Sequence, residues 1–343
     1  MRASEQSHRF FRMALAATGL ALVALVFNAY TRSSEAGLGC PDWPGCYGVL
    51  FAPTTAQDIA PVELDAATQK ALEKKRAAQE TMQRFLAAGL SLTLFRLAVL
   101  GWHLKRRHRN QQIWIPLSTA VFVFALGVVG FLTFEYRYKA LVLMTQFAGG
   151  LTVFALVWWI VLREQRILRS LPPTNAVAPS LRPRALFAIA LVSMQALLGG
   201  WSMVNHAGLA CPDFPTCQGQ WWPPMEFVDA FTMWRDVGLD YEGRLLTLPG
   251  STAIHFGHRI GAAMVLLYVG WLALHVLRVG VEGKLWRYGL LVLAVLLAET
   301  GLGMMNVLAR LPLAVAVVHT AVAALLLAAL VTLYHVIRPV RKL

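Results

Sequence analysis

The sequence predicts an all-α integral membrane protein with eight transmembrane helices, arranged as two pseudo-symmetric four-helix bundles with both termini cytoplasmic. Three observations carry this. Hydrophobic residues make up 57% of the 343 and charged residues only 14%, with a mean hydropathy of +0.55, well above that of a soluble domain. Eight apolar runs occur, near 10 to 30, 82 to 103, 113 to 133, 140 to 162, 185 to 204, 252 to 277, 285 to 305 and 313 to 337. At about 1.5 Å per residue, each can cross a hydrocarbon core of about 30 Å. Finally, the loop GLGCPDWPGC at Gly37 to Cys46 returns as GLACPDFPTC at Gly208 to Cys217, so the chain repeats itself.

The first run follows Arg9 and Arg12 as a secretory signal would, but it lacks a small-residue cleavage site and reads as a retained helix. Runs two to four complete the first bundle, residues 1–170. A linker, 171–183, follows, in which Pro172 and Pro173 discourage continuation of the fourth helix. The remaining four runs make the second bundle, 184–343. The N-terminus, the Lys105 to Arg109 loop, the linker with its flanks, the turn around Lys284 and the C-terminal tail hold 18 of the 31 basic residues. By the positive-inside rule those segments are cytoplasmic.

The same placement explains the net charge of +13. Basic residues flank helices next to the lipid bilayer and form no single basic face, so nucleic-acid binding is excluded as a function. Both cysteine loops then lie on the outer side, which for a bacterial inner membrane is the oxidising periplasm. The C-x5-C spacing suits local disulfides, Cys40 with Cys46 and Cys211 with Cys217. The turn formers Pro41, Asp42 and Pro44 favour the approach of the thiols.

Aligning Ala36 to Gly48 with Ala207 to Gly219 gives 9 identities in 13 positions at an offset of 171. Counting onward exposes a difference between the halves. His258 in the sixth run and His319 in the eighth correspond to Gln83 and Gln146, at offsets of 175 and 173. Both histidines lie about six residues, roughly 9 Å, from the outer ends of their helices. Small residues follow each, Gly261 to Ala263 and Ala321, Ala323 and Ala324. Two neutral imidazoles at one depth can bind an iron porphyrin from both sides. His255, three residues before His258, shares its helical face; it either contacts a haem propionate, aids substrate chemistry or makes a structural hydrogen bond. Glu299 in the seventh run either serves a proton path or hydrogen-bonds a neighbouring helix, because a carboxylate inside a membrane is costly unless protonated or paired.

The residues Ala29-Tyr30-Thr31-Arg32, AGLGCPDWPGCYG, LACPDFPTCQGQWWP (Leu209 to Pro223), His258-Arg259, Gly301 to Asn306 and His319 together resemble the heme A synthase family. The resemblance covers nearly the whole chain. It implies a bis-histidine haem b site at His258 and His319 in the C-terminal half. It also implies an N-terminal half that receives haem O and oxidises a porphyrin methyl to formyl. A haem O synthase and oxidase assembly factors are the partners it suggests.

The family's N-terminal pattern, E-x-x-H-R followed by a further His, maps onto Glu80 as the catalytic carboxylate, with Gln83, Arg84 and Gln146 in the substrate pocket. Glutamine stands at both family histidine positions and is a poor axial ligand. Glu80 sits at the outer entrance to the second run, where it either handles a proton or favours the helix N-terminal dipole. Two further readings stay open: a haem b-binding or oxidase-assembly protein without catalysis, and an outward-facing thiol redox protein. The cysteine pairs are accordingly either staples or electron relays.

Overall fold

The computed structural model describes residues 3–33, 66–107, 113–136, 140–164, 178–233, 246–279 and 285–338. Among them the helices are α1 (Ala3–Ser33), α2 (Ala66–Arg107), α3 (Trp114–Tyr136), α4 (Ala140–Glu164), α5 (Ala178–Val204), α6 (Phe227–Ala230), α7 (Leu248–Val279), α8 (Trp286–Leu308) and α9 (Leu313–Val336). Seven are long and apolar enough to cross a membrane: α1, α2, α4, α5, α7, α8 and α9. The chain is therefore an integral membrane protein. In hydrocarbon a backbone must satisfy its own polar groups, so an apolar run of this length folds as a helix. The remaining run, the third, also forms a helix, α3, whose apolar stretch, Trp114–Gly130, is shorter.

Two helices start earlier than their apolar runs. About four turns of Ala-, Lys- and Gln-rich chain precede Glu80 and continue the helix outward, since those residues have high helix propensity. Glu80 thus lies well inside α2 rather than at its entrance, and the N-terminal dipole, which acts only within the first turn, does not account for it. Similarly, α5 begins at Ala178 and carries Pro183 inside it, so the described end of the linker is helical.

Packing follows chain order. In the first half α1 packs on α2, α2 on α3, α3 on α4 and α4 on α1; in the second, α5 packs on α7, α7 on α8, α8 on α9 and α9 on α5. The halves meet where α1 and α4 pack against α9 and α4 against α5. That seam is apolar, with Leu25, Phe147, Leu151 and Phe154 in one buried cluster with Leu326 and Leu330. A polar tie crosses it: Trp158 Nε1 donates to Thr332 Oγ1 at 2.9 Å and to the Ala328 carbonyl at 3.2 Å.

Between α8 and α9 the chain reverses through Arg310 and Leu311, both left-handed with φ of 58° and 57°. The Leu311 N–H reaches back to the Asn306 carbonyl at 2.7 Å, closing the end of α8 as a Schellman turn does. Leu311 then lies over Gly208, where an added Cβ would come within 2.8 Å of its Cδ1. The glycine shared by both cysteine loops is, in this copy, the space for that side chain.

Close approach also defines the contact between α7 and α8. A Cβ at Gly289 would stand 2.9 Å from the Ala273 carbonyl oxygen and 3.1 Å from the Leu277 nitrogen. Small residues let membrane helices approach backbone to backbone. Gly289→Val should therefore push the pair apart and cost about 1–3 kcal/mol, measured as a lower thermal unfolding midpoint in detergent.

Candidate haem site and its cysteine-loop cap

The second cysteine loop is held from within and from below. Cys211 and Cys217 form a disulfide; Cys40 and Cys46, with the rest of the first loop, lie outside the described residues. Asp213 organises the interior. It accepts from the Thr216 hydroxyl, from the Gln218 N–H at 2.6 Å and from the Gly219 N–H at 3.0 Å. Gln218 and Gly219 are left-handed, with φ of 56° and 72°, and successive N–H groups in such a turn converge on an anion. The Asp and the closing Gly of the repeated motif thus serve one turn.

From below, α7 clamps the loop. Arg259 donates through Nη1 to the Thr216 carbonyl at 2.8 Å and through Nη2 to the Cys211 carbonyl at 2.7 Å. His255 is buried, and its Nδ1 accepts the Cys211 N–H at 3.2 Å. Gln218 adds a bond from its Nε2 to Thr252 Oγ1 at 2.9 Å. His255 and Arg259 are four residues apart and share a face, so one turn of α7 carries the cap.

His258, on the same turn, faces α5 instead. Gln195 Nε2 lies 3.0 Å from His258 Nδ1 and donates to the His258 backbone carbonyl at 2.9 Å. The ring rests against Gly199, where a Cβ would stand 3.0 Å from Cε1. His319, on α9, faces α8. Its Nδ1 lies 3.1 Å from Glu299 Oε1, off the line of a hydrogen bond, and its Cε1 would be 3.3 Å from a Cβ at Gly303. The helices α7 and α9 form a diagonal of their ring of four, and His258 is within electrostatic reach of both His319 and His255. Among the described residues no group of three or more His, Cys, Asp or Glu could hold a metal ion; the arrangement here is two imidazoles across a diagonal.

The first half differs at the matching places. Gln146 of α4 turns its amide onto α3, donating from Nε2 to the Leu126 carbonyl at 3.1 Å. Gln83 of α2 is half-buried, and its Oε1 lacks a hydrogen-bond partner. Glu80 Oε2 lies 3.7 Å from Arg84 Nη2, and Arg32 at the end of α1 is within electrostatic reach of the same carboxylate. Gln83 and Gln146 again stand on a diagonal pair, α2 and α4.

The sequence profile described as cytochrome oxidase assembly protein (COX15-CtaA) matches residues 11–331. The chain belongs to this family. Among its relatives is a protein named heme A synthase from Shewanella oneidensis, 32% identical over 314 residues and covering 92% of each chain. Proteins of the same name from Rhizorhabdus wittichii, 25% identical over 92% of this chain and 90% of the relative, and Lysinibacillus sphaericus, 22% identical over 94% and 93%, also match.

Sequence reasoning placed His258 and His319 but passed over Gln195, which meets the first of them. The signal was present: a glutamine inside an apolar run needs a partner. Arg259 was noted only as half of a dipeptide, although an arginine beneath a loop rich in carbonyls is a natural clamp.

The loop carries a pH signature. The Thr216 hydroxyl first, with the Gly219 and Gln218 N–H groups, holds the Asp213 carboxyl below the usual carboxylate range. A carboxyl with a depressed folded pKa stabilises at every pH above its ordinary value, and that contribution is lost as pH falls through the folded value. Protection of the Gln218 and Gly219 amides against hydrogen exchange should hold from neutral pH down to the ordinary carboxylate range and fall only below it. In Asp213→Ala it should be low throughout.

Proposed function

We propose that this chain is a heme A synthase-like oxidoreductase of the bacterial inner membrane, converting haem O to haem A by oxidising a porphyrin methyl to formyl. In this reading eight helices span the bilayer as two pseudo-symmetric bundles, residues 1–170 and 184–343, joined by the 171–183 linker. Both termini are cytoplasmic and both cysteine loops periplasmic. The observation that carries the reading is the pair His258 and His319 on a helix diagonal, each against a glycine.

The donor set fits haem b. Two imidazoles offer axial nitrogens of the kind iron porphyrins take, and Gly199 and Gly303 form cradles that a Cβ would fill. His258 and His319 would hold the group, which when bound supplies one-electron redox chemistry. We assign His255, together with Arg259, to holding the cap closed over this half. The apolar faces of the helices bury the ligand and exclude water.

Haem O is the substrate of the N-terminal half. Glu80 acts there as the proton acceptor, its Oε2 oriented by Arg84, and Gln83 and Gln146 line the pocket. An amide oxygen is a weak iron ligand, and the Gln146 amide is turned onto α3 by its bond to the Leu126 carbonyl, so the substrate is positioned by its apolar faces and by the charged Glu80, Arg84 and Arg32 end.

That same Gln146 bond favours a second reading, in which the chain holds haem b and assists oxidase assembly without oxidising haem O. Coexpression with a haem O source separates the two. The enzyme accumulates haem A; the carrier shows a bis-histidine spectrum and none. For the enzyme, Glu80→Ala should abolish haem A while keeping the haem b spectrum, whereas His258→Ala and His319→Ala should each lose that spectrum. Replacing all four cysteines should cost stability of about 2–4 kcal/mol per lost bridge but leave haem A formation measurable; complete loss of activity in a folded protein would instead make the thiols relays.

A further inference from the structure

Each proposed axial histidine rests on its neighbouring helix against a polar residue and a glycine four positions apart. On α8, Glu299 and Gly303 are four apart and share a face; Glu299 Oε1 is 3.1 Å from His319 Nδ1, and Gly303 leaves room for the ring at Cε1. On α5, Gln195 and Gly199 are also four apart; Gln195 Nε2 is 3.0 Å from His258 Nδ1, and Gly199 leaves room at Cε1. In both cases the polar group lies beside Nδ1, but only the carboxyl oxygen beside His319 can accept an Nδ1–H and so leave the Nε2 lone pair for a metal; the Gln195 amide is a donor, and its N–H is satisfied by the His258 backbone carbonyl. His258 Nε2 stands farther from the same amide, at 3.5 Å.

The first half retains part of this device. Gly130 of α3 faces Gln146, with an added Cβ 3.4 Å from its Nε2. Leu126 stands four residues before it, where Glu299 stands before Gly303, and offers only its backbone carbonyl. The carboxyl is thus particular to the half with histidines. It is also expensive there: Glu299 lies inside an apolar helix, and its Oε2 is buried without a hydrogen-bond partner.

We propose that Glu299 is a positioning residue for His319. Its carboxyl oxygen accepts the Nδ1–H after a small rotation, which leaves the lone pair on Nε2 and makes this imidazole the stronger axial donor. Gln195 holds the His258 ring through a neutral amide, so the two axial ligands are unequal. A carboxyl oxygen can accept whether or not the other oxygen carries a proton, so the arrangement does not depend on the charge of Glu299. Partners of this kind orient a ligating histidine, raise its basicity and tune the metal's potential. The inference rests on the haem reading of His258 and His319.

The test uses the purified full-length protein with the haem it carries. Glu299→Gln and Glu299→Leu are compared with wild type for haem stoichiometry, low-spin electron paramagnetic resonance and midpoint potential. Glu299→Gln should keep the haem but change the low-spin g values and the potential, because an amide oxygen and a carboxyl oxygen differ in how strongly they accept the Nδ1–H. Glu299→Leu should shift the potential further or lose the sixth ligand to a high-spin signal. If Glu299→Leu fails to fold, the Glu299→Gln result decides alone. Wild-type g values and potential in Glu299→Gln, with haem lost in His319→Ala, overturn the positioning role and leave the haem site standing. Full haem with an unchanged spectrum in both His258→Ala and His319→Ala overturns the haem reading and this inference with it.

Discussion

A polar side chain inside an apolar helix bundle has to meet a partner, because no water is there to replace one. That constraint organises the second half of this protein. Gln195 crosses from α5 to His258, Glu299 approaches His319 from α8, and Trp158 crosses from α4 to Thr332. Each pairing joins two helices at one height, so the polar residues set the helix register while the aliphatic residues around them supply the burial. Glycines complete the pairings by letting the rings reach the neighbouring backbone.

The cap is tied to the site through a single helical turn. His255 and Arg259 hold the Cys211–Cys217 loop while His258, between them, faces α5. A turn of α7 cannot shift for one purpose without disturbing the other. The duplicated loop is therefore better understood as a rigid lid, built on Asp213 and two left-handed residues, than as a free pair of thiols. This account applies to the second copy; in the first, Arg84 occupies the sequence place of Arg259 and Glu80 that of His255, so a carboxylate stands where the second copy has an imidazole.

The two halves share a packing order and differ in their polar residues. Packing order is the same in each, and Gly130 and Gly303 serve the same contact against Gln146 and His319. Where the second half pairs imidazoles with a carboxyl and an amide, the first turns one glutamine onto a backbone carbonyl and keeps its charge at the Glu80, Arg84 and Arg32 end. In the proposed reading, one half would hold a metal centre and the other would admit a molecule held mainly by shape.

The sequence alone determined the membrane class, the positions of the apolar runs, the recurrence of the cysteine-loop motif and the offsets that set His258 and His319 against Gln83 and Gln146. These are local or periodic properties, written in composition and spacing. It misjudged the start of α2, because apolar character marks where a helix enters lipid and not where the helix begins. Only the tertiary structure decided which partner each polar group meets. That Gln195 serves His258, that Gln146 is spent on Leu126 and that Arg259 reaches two loop carbonyls all depend on side chains from different helices arriving at the same height. Helix order and helix rotation set that meeting, and neither is encoded in the spacing of any single run.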